Sequence, residues 1–470
     1  MIGLGKRFLL IVIISFLGSI ETRQTIAELL RVVRSINSYN DEPDIPSGKC
    51  GDQMNQRHEI SAYLTRTCVS RIVDRQSITS NWLTCLSLRD CQIEEIRYGS
   101  FSNMANLYYL DLSKNRIQYC DLLSFGGHEN LRTLIVDENG ANGINNRGLT
   151  INRADFFPRL EHLYIRKNYL NRLRISIGQW FPVLTHLYLS DNLLTSESLN
   201  DLTSVPISLT HIHLERNRIR RVESSLIRSL RYVFLDGNAI NSICRTNCYE
   251  NCVDLRAANE LRFLSLSKNE ISRVEIDSFV DTWNLRSLNL DRNKLESFAI
   301  GTFDQLRQLE DLSLSHNLLR YVPILHHATV LTSLTLNYNY IDRIQTDAFR
   351  DLYRLKWLSL NNNRLRIIEE GAFRNLRSLE DLDLSNNKLD YFSPLWIDSE
   401  TPLRTLDLRN NRFTTYDHLY LRNLLFLNDL YIQGNPLARS PSCYDFPRNV
   451  SVHGENGLML NMKPCRIICT

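Results

Sequence analysis

Nine side chains in the middle of the chain carry the residue types best suited to gripping a partner: His162, Tyr164, His186, Tyr188, His211, His213, Tyr232, Phe234 and Phe263. They come as His-x-Tyr, His-x-Tyr, His-x-His, Tyr-x-Phe and a final Phe, at intervals of 21 to 31 residues. A spacing of two puts both members of a pair on one face of a strand. Tyrosine joins a large contact area to a hydrogen bond, which is interface chemistry. Imidazoles normally titrate near pH 6.5, and four of the eleven histidines lie in this set. The expectation is a partner-binding patch that charges on acidification. The competing reading is that the rings cover one another and serve stability alone. A metal site from His186, His211 and His213 lacks a nearby carboxylate or thiolate in the two columns of outward strand positions that these residues occupy, so neither a metal nor another cofactor is assigned.

These positions need a scaffold, and the sequence supplies one. The pattern Leu-x-x-Leu-x-Leu-x-x-Asn recurs fifteen times, most clearly at Leu285, Leu288, Leu290, Asn293 and at Leu379, Leu382, Leu384, Asn387. Cys91 takes the Asn slot in the first copy. Self-similarity at this period predicts a solenoid in which neighbouring units share one core. The Leu residues should point inward from short parallel strands, with the intervening residues outward on the concave face. The Asn should sit at a turn and bond the main chain of its own and the next coil. Phe101, Phe125, Phe279, Phe303, Phe349 and Phe373, each six residues before a first Leu, should fill the wide convex side.

On these motifs the chain resembles the extracellular leucine-rich repeat superfamily in its 24-residue subclass, and is similar to Toll-type receptor ectodomains and secreted insect immune proteins. The resemblance covers residues 83–437. It implies an α/β solenoid: a curved horseshoe with a parallel sheet on its concave face and disulfide-braced end caps. It also implies a secreted recognition protein that binds a protein partner or a microbial or host ligand, with innate immunity as one role. The chain lacks the C-terminal coiled coil that many of the insect proteins carry. The alternatives are a matrix or adhesion protein acting in development, or a co-receptor ectodomain.

Residues 1–20 read as a secretory signal, with Lys6 and Arg7 before the apolar stretch Phe8 to Leu17. Ile26, Leu29, Leu30, Val33 and Ile36 have helical spacing, and Asp41 to Gly48 reads as a linker. Residues 21–82 therefore form a helix, linker and N-terminal cap, and residues 438–470 a C-terminal cap. No later stretch reaches membrane-spanning length. Asn449-Val450-Ser451 is a glycosylation acceptor. Secretion suits eleven cysteines, which fall in three groups. Cys50, Cys68, Cys85, Cys91 and Cys120 surround one end, Cys244, Cys248 and Cys252 share an insertion, and Cys443, Cys465 and Cys469 follow the last repeat. Their pairing is open. Zinc at the middle trio would need a fourth ligand motif, and none is nearby. An odd total leaves one thiol over. It is either buried or joined to a second chain in a disulfide-linked dimer or heteromer, with Cys85 and the exposed trio as accessible candidates.

Charge is close to balanced, with 55 basic and 52 acidic residues, so nothing draws the chain as a whole toward nucleic acid or membrane. Arg218, Arg220, Arg221 and Arg228 form a local basic run, read as a solvated edge in preference to a polyanion site. Asp381, Asp383, Asp407 and Asp429 share the concave face, where Leu-Asp-Leu is a common form of the repeat and attraction of a basic partner the other reading. Two Asn-to-Asn steps are long: 29 residues from Asn139 to Asn168 and 31 from Asn238 to Asn269. Such insertions map to loops. No phosphate loop, metalloprotease helix or nucleophile elbow is present, so the chain is not read as an enzyme.

Overall fold

The computed structural model describes residues 71–454 apart from 79–80, 120, 140–148, 151–155, 175, 201, 203–204, 246–250, 423, 439–446 and 448–449, together with strand backbone at Ser61–Tyr63 and Met459–Asn461. The signal, helix and linker expectations, Asn449, and Cys50, Cys68, Cys120, Cys248, Cys443, Cys465 and Cys469 lie outside the described residues.

Every repeat contributes a three-residue strand centred on the middle apolar residue of its pattern. From Cys85–Ser87 to Asp429–Tyr431 these strands pair in parallel, each residue opposite its equivalent in the next repeat. They belong to one 18-stranded sheet. The alternation of apolar and outward residues explains the register, since a slip of one would turn every Leu out of the core. Leu285, Leu288 and Leu290 are at most 1% exposed, and their counterparts are equally buried. The sheet runs past the repeats at both ends. Ser61–Tyr63 pairs with Cys85–Ser87, Ser451–His453 pairs with Asp429–Tyr431, and Met459–Asn461 closes that end antiparallel.

The framework asparagines form a buried ladder. The Asn293 amide donates to the carbonyls of Leu266, 2.9 Å away, and Leu290, 3.0 Å away, and its oxygen accepts from the Ile271 N–H at 3.0 Å. Asn317, Asn363 and Asn387 repeat the arrangement. The partner coil is thus the preceding one, not the next. The turn that carries each Asn folds back toward main-chain groups already laid down. Cys91 cannot supply an amide, and its backbone N–H donates to the Asn115 side-chain oxygen at 2.9 Å.

A phenylalanine spine fills the convex side. Phe101, Phe125, Phe157 and Phe181 make successive ring contacts with centroids 5.4 to 5.7 Å apart. Phe157 and Phe181 stand only three residues before their first Leu, so the six-residue spacing does not find them. Trp396, Phe392 and Phe413 continue the filling after Phe373. Helix is confined to the short segments Ile177–Trp180, Ser196–Asn200 and Ser224–Ile227, with one 3-10 turn at Tyr416–Leu419, among the described residues.

The cysteine expectations need correction. Cys85 occupies an outward slot but is fully buried and disulfide-bonded, as is Cys91, so Cys85 is not an accessible thiol. The cap strand Ser61–Tyr63 pairs beside it, so the first repeat is not the edge of the sheet. Cys244 and Cys252 are not free for a second chain either. They bond to each other, with Cα atoms 6.2 Å apart, and both are buried. Their segment is more than a loop. Cys252–Asp254 is a strand that pairs with Ser242–Cys244 on one side and meets Val222 of the preceding repeat on the other.

Candidate functional site

Parallel, in-register strands give their outward residues parallel Cα–Cβ directions, so like side chains on successive strands meet face to face. The structure brings all nine candidate residues together in this way. His162, His186, His211 and Tyr232 form one ladder, with centroid separations of 4.4, 4.0 and 4.2 Å. Tyr164, Tyr188, His213 and Phe234 form a second, at 4.1, 4.4 and 4.1 Å. Phe263 ends the block, 4.7 Å from Phe234.

Stacking buries much of what was expected to face a partner. Tyr164 is 1% exposed and Tyr188 4%. Arg166 lies over both rings, 5.2 and 5.9 Å from their centroids, and is held there by Asp137 at 2.6 and 2.8 Å. Burial, with the neighbouring Tyr188 hydroxyl, raises the Tyr164 phenol far above its ordinary range. Partly accessible surface is left at His162, His186, His213, Tyr232 and Phe234.

The hydrogen bonds fix two tautomers. The Thr185 hydroxyl donates to the Glu161 carbonyl at 2.9 Å, so it accepts the Nδ1–H of His186 at 2.8 Å. Thr210 donates to the Thr185 carbonyl at 3.3 Å and accepts likewise from His211 at 2.8 Å. Each Nε2 is then a bare lone pair, buried and without a hydrogen-bond partner. Burial pushes His162 and His211 down to about 4, and burial with repulsion from neighbouring imidazoles pushes His186 down to about 2. The expected charging of the whole patch near pH 6.5 is therefore corrected, because these three stay neutral well below it. Nor do the stacked rings chelate. At 4.0 Å and 16° the in-plane lone pairs of His186 and His211 run side by side and do not converge. No cluster of three or more metal-ligating side chains occurs among the described residues.

A third outward column, two residues past the second, escaped the sequence reading. It holds Asp137, Arg166, Glu215, Asp236 and Asp291, and the continued alternation beyond Leu-x-Leu was the available signal. Glu215 accepts from Ser190 at 2.7 Å and pairs with His213 Nδ1 at 3.1 Å. Burial opposes its charge, yet these contacts hold its carboxyl below the ordinary value. Burial raises Asp236 to about 6 despite hydrogen bonds from Ser265 and Ser267.

Beyond Phe263 the floor changes character. Ser287, Asp311 and Ser333 lead in register to Trp357, with Asn289, Ser313 and Thr335 beside them. Burial and nearby Glu310 raise Asp311 to about 6. Of the four aspartates noted in sequence, Asp383 and Asp407 are buried in local bonds to Ser385 and Arg409. Asp429 pairs with His453 at 3.1 Å. They serve the repeat more than the surface.

The leucine rich repeat family model matches residues 82–140, 259–319 and 329–389, and a second model of the same repeat matches 402–424. This chain is a leucine-rich repeat protein. No curated protein matches it in sequence. Among solved structures, a leucine-rich repeat protein of Leptospira interrogans is 22% identical over 78% of this chain and 90% of its own, with a TM-score of 0.55. The Toll–Spatzle complex of Drosophila gives 22% identity and a TM-score of 0.55, covering 79% of this chain and 48% of that one. The LRIM1/APL1C complex gives 21% and 0.52, with 74% and 56% covered. Identities this low speak to the fold alone. The leucine-rich repeat chain has no helix among its described residues long and apolar enough to cross a membrane.

Proposed function

We propose that this leucine-rich repeat protein is secreted and acts by recognition, not catalysis, binding an extracellular protein or a microbial or host ligand on its concave face, with innate immunity as its setting. The observation that carries this reading is the change of surface at Phe263. Two rigid ring ladders end there, and a floor of small hydroxyl, amide and carboxyl side chains runs on to Trp357, an indole with no ring neighbour among the described residues. Four strand spacings of about 4.8 Å make that floor roughly 19 Å long. Preorganised aromatic edges around a small-residue trough suit a partner's extended segment. Tyr164 and Tyr188 act behind the contact surface by fixing the ladder, while Tyr232, Phe234 and His213 meet the partner.

The test uses the mature secreted protein as bait in extracellular fluid, followed by affinity measurement on the captured partner. The double change Tyr232→Ala with Phe234→Ala, and separately Trp357→Ala, should each weaken binding at least about tenfold, as hot-spot aromatics do. Arg221→Ala, away from the trough, should leave it unchanged. Full affinity in both concave variants would place the partner elsewhere.

A further inference from the structure

One flank of the solenoid carries a charge pattern that neither the concave face nor the core requires. In every repeat the residue before the framework Asn, or before Cys91 in the first, has left-handed backbone, from Asp90 to Gly434. The residue after it donates its N–H to the preceding repeat: Arg364 to Ile341, Lys388 to Leu365 and Arg412 to Leu389, at 2.7 to 2.9 Å. These two positions thus form an in-register strip, one rung per repeat, with rungs about 4.8 Å apart. Across the fifteen repeats eleven of them are Lys or Arg and four are Asp or Glu, whereas the whole chain is nearly balanced at 55 to 52.

The four acids, Asp90, Glu138, Asp191 and Glu270, all lie before Asn293. Three of them pair with cations of the flank: Glu138 with Lys114 and Lys167, Asp191 with Arg216, and Glu270 with Lys294. Farther along, three consecutive repeats present one triplet: Asn362-Asn363-Arg364, Asn386-Asn387-Lys388 and Asn410-Asn411-Arg412. The middle Asn of each is buried in the ladder. The outer Asn and the cation stand on the surface. Among the described residues no ion pair involves Arg364, Lys388 or Arg412. Arg366 stands in the next outward column between Asp342 and Asp390 and is set aside as locally balanced. Like charges stacked on neighbouring strands repel, and among the described residues no carboxylate pairs with these three cations.

We propose that this strip, Asn362, Arg364, Asn386, Lys388, Asn410 and Arg412, binds a linear sulfated polysaccharide. Sulfate esters repeated along a flexible chain match a row of cations, and the amides supply donors and acceptors for hydroxyls and sulfate oxygens. A single-stranded nucleic acid fits less well. It needs aromatic faces open to its bases, and here His316 takes one face of Tyr338 at 4.2 Å while the Arg364 guanidinium takes one face of Tyr340 at 4.2 Å. This site stands independently of the concave one.

The experiment measures binding of a size-defined heparin oligosaccharide to the full secreted chain by calorimetry across a salt series. The triple change Arg364→Gln, Lys388→Gln, Arg412→Gln should weaken binding at physiological salt at least about tenfold and lower the slope of log K against log salt by about two to three. The matched change Lys114→Gln, Lys167→Gln, Arg216→Gln removes the same charge from paired cations and should weaken it less than about twofold. An unchanged thermal transition verifies folding, and Arg364→Gln alone serves if the triple variant does not fold. Equal weakening by both triples, no heparin binding by the unaltered chain, or tighter binding of single-stranded DNA of matched charge would each overturn the proposal.

Discussion

Replacing His186 by Phe should flatten the acid response of the leucine-rich repeat domain. His186 is the middle ring of three stacked imidazoles, 4.4 Å from His162 and 4.0 Å from His211. In the folded chain His162 and His211 titrate at about 4 and His186 at about 2, against an unfolded value near 6.5. A histidine depressed by folding contributes its full stability above pH 6.5 and loses it as pH falls toward the folded value, because only the unfolded chain takes up the proton. At pH 5 each forfeits about 2 kcal/mol, so the three together forfeit about 6 if taken singly. Asp236 and Asp311 act the other way. Each is raised to about 6, so folding binds protons that the unfolded carboxylate does not, and together they return about 3 kcal/mol at pH 5. For these five groups the net loss between pH 7.5 and 5 is then about 3 kcal/mol, and His186→Phe should cut their share to about 1. The assay is hydrogen exchange at Leu187 and Ile212, corrected for intrinsic rates, with urea unfolding at both pH values. The same pH dependence in variant and parent would refute the claim that buried neutral imidazoles set the response.

Two further outcomes follow from the core and the cysteines. Asn293→Ala should cost about 1–3 kcal/mol, since it strands the Ile271 N–H and the Leu266 and Leu290 carbonyls; an unchanged thermal transition with unchanged exchange protection in the adjoining repeats would deny the buried ladder. Because Cys244 and Cys252 bond to each other, Cys248 is the member of the trio left to join a second chain. Cys248→Ser should abolish any disulfide-linked dimer on non-reducing electrophoresis, and persistence of that dimer would shift the linkage to another cysteine.

The repeat was legible because each slot is enforced by burial: a Leu that must face inward and an Asn whose amide must bond main chain leave a periodic trace. The two outward columns were legible for the same reason, as alternation fixes which residues become neighbours. What the neighbours then do to one another was not. Nothing in His-x-Tyr followed by His-x-Tyr says that the rings lie parallel near 4 Å and exclude water, which is what keeps His186 neutral and hides Tyr164. Glu215 was missed although it sits two residues past His213, because the pattern was followed only as far as the last Leu. Cys85 was misjudged because its disulfide, and the cap strand paired beside it, lie outside the repeat pattern. The strand Cys252–Asp254 is three residues long and carries no period of its own.

That short strand has a mechanical consequence. On the inner sheet His211–His213 lies directly beside Tyr232–Phe234. On the outer edge the same two repeats are separated by an additional course, since Val222 meets Val253 and Val253 meets Ile243. One strand spacing, about 4.8 Å, is thus added outside and none inside. Masons would call it a keystone: an arch with an extra block in its outer ring bends more sharply at that joint. The joint lies in the two repeats whose strands stack His211 and His213 on Tyr232 and Phe234, and the extra course predicts tighter local curvature there. Removing residues 245–254 should relax the bend there and leave the remaining arc as it was, a change that solution scattering would register as a longer maximum dimension.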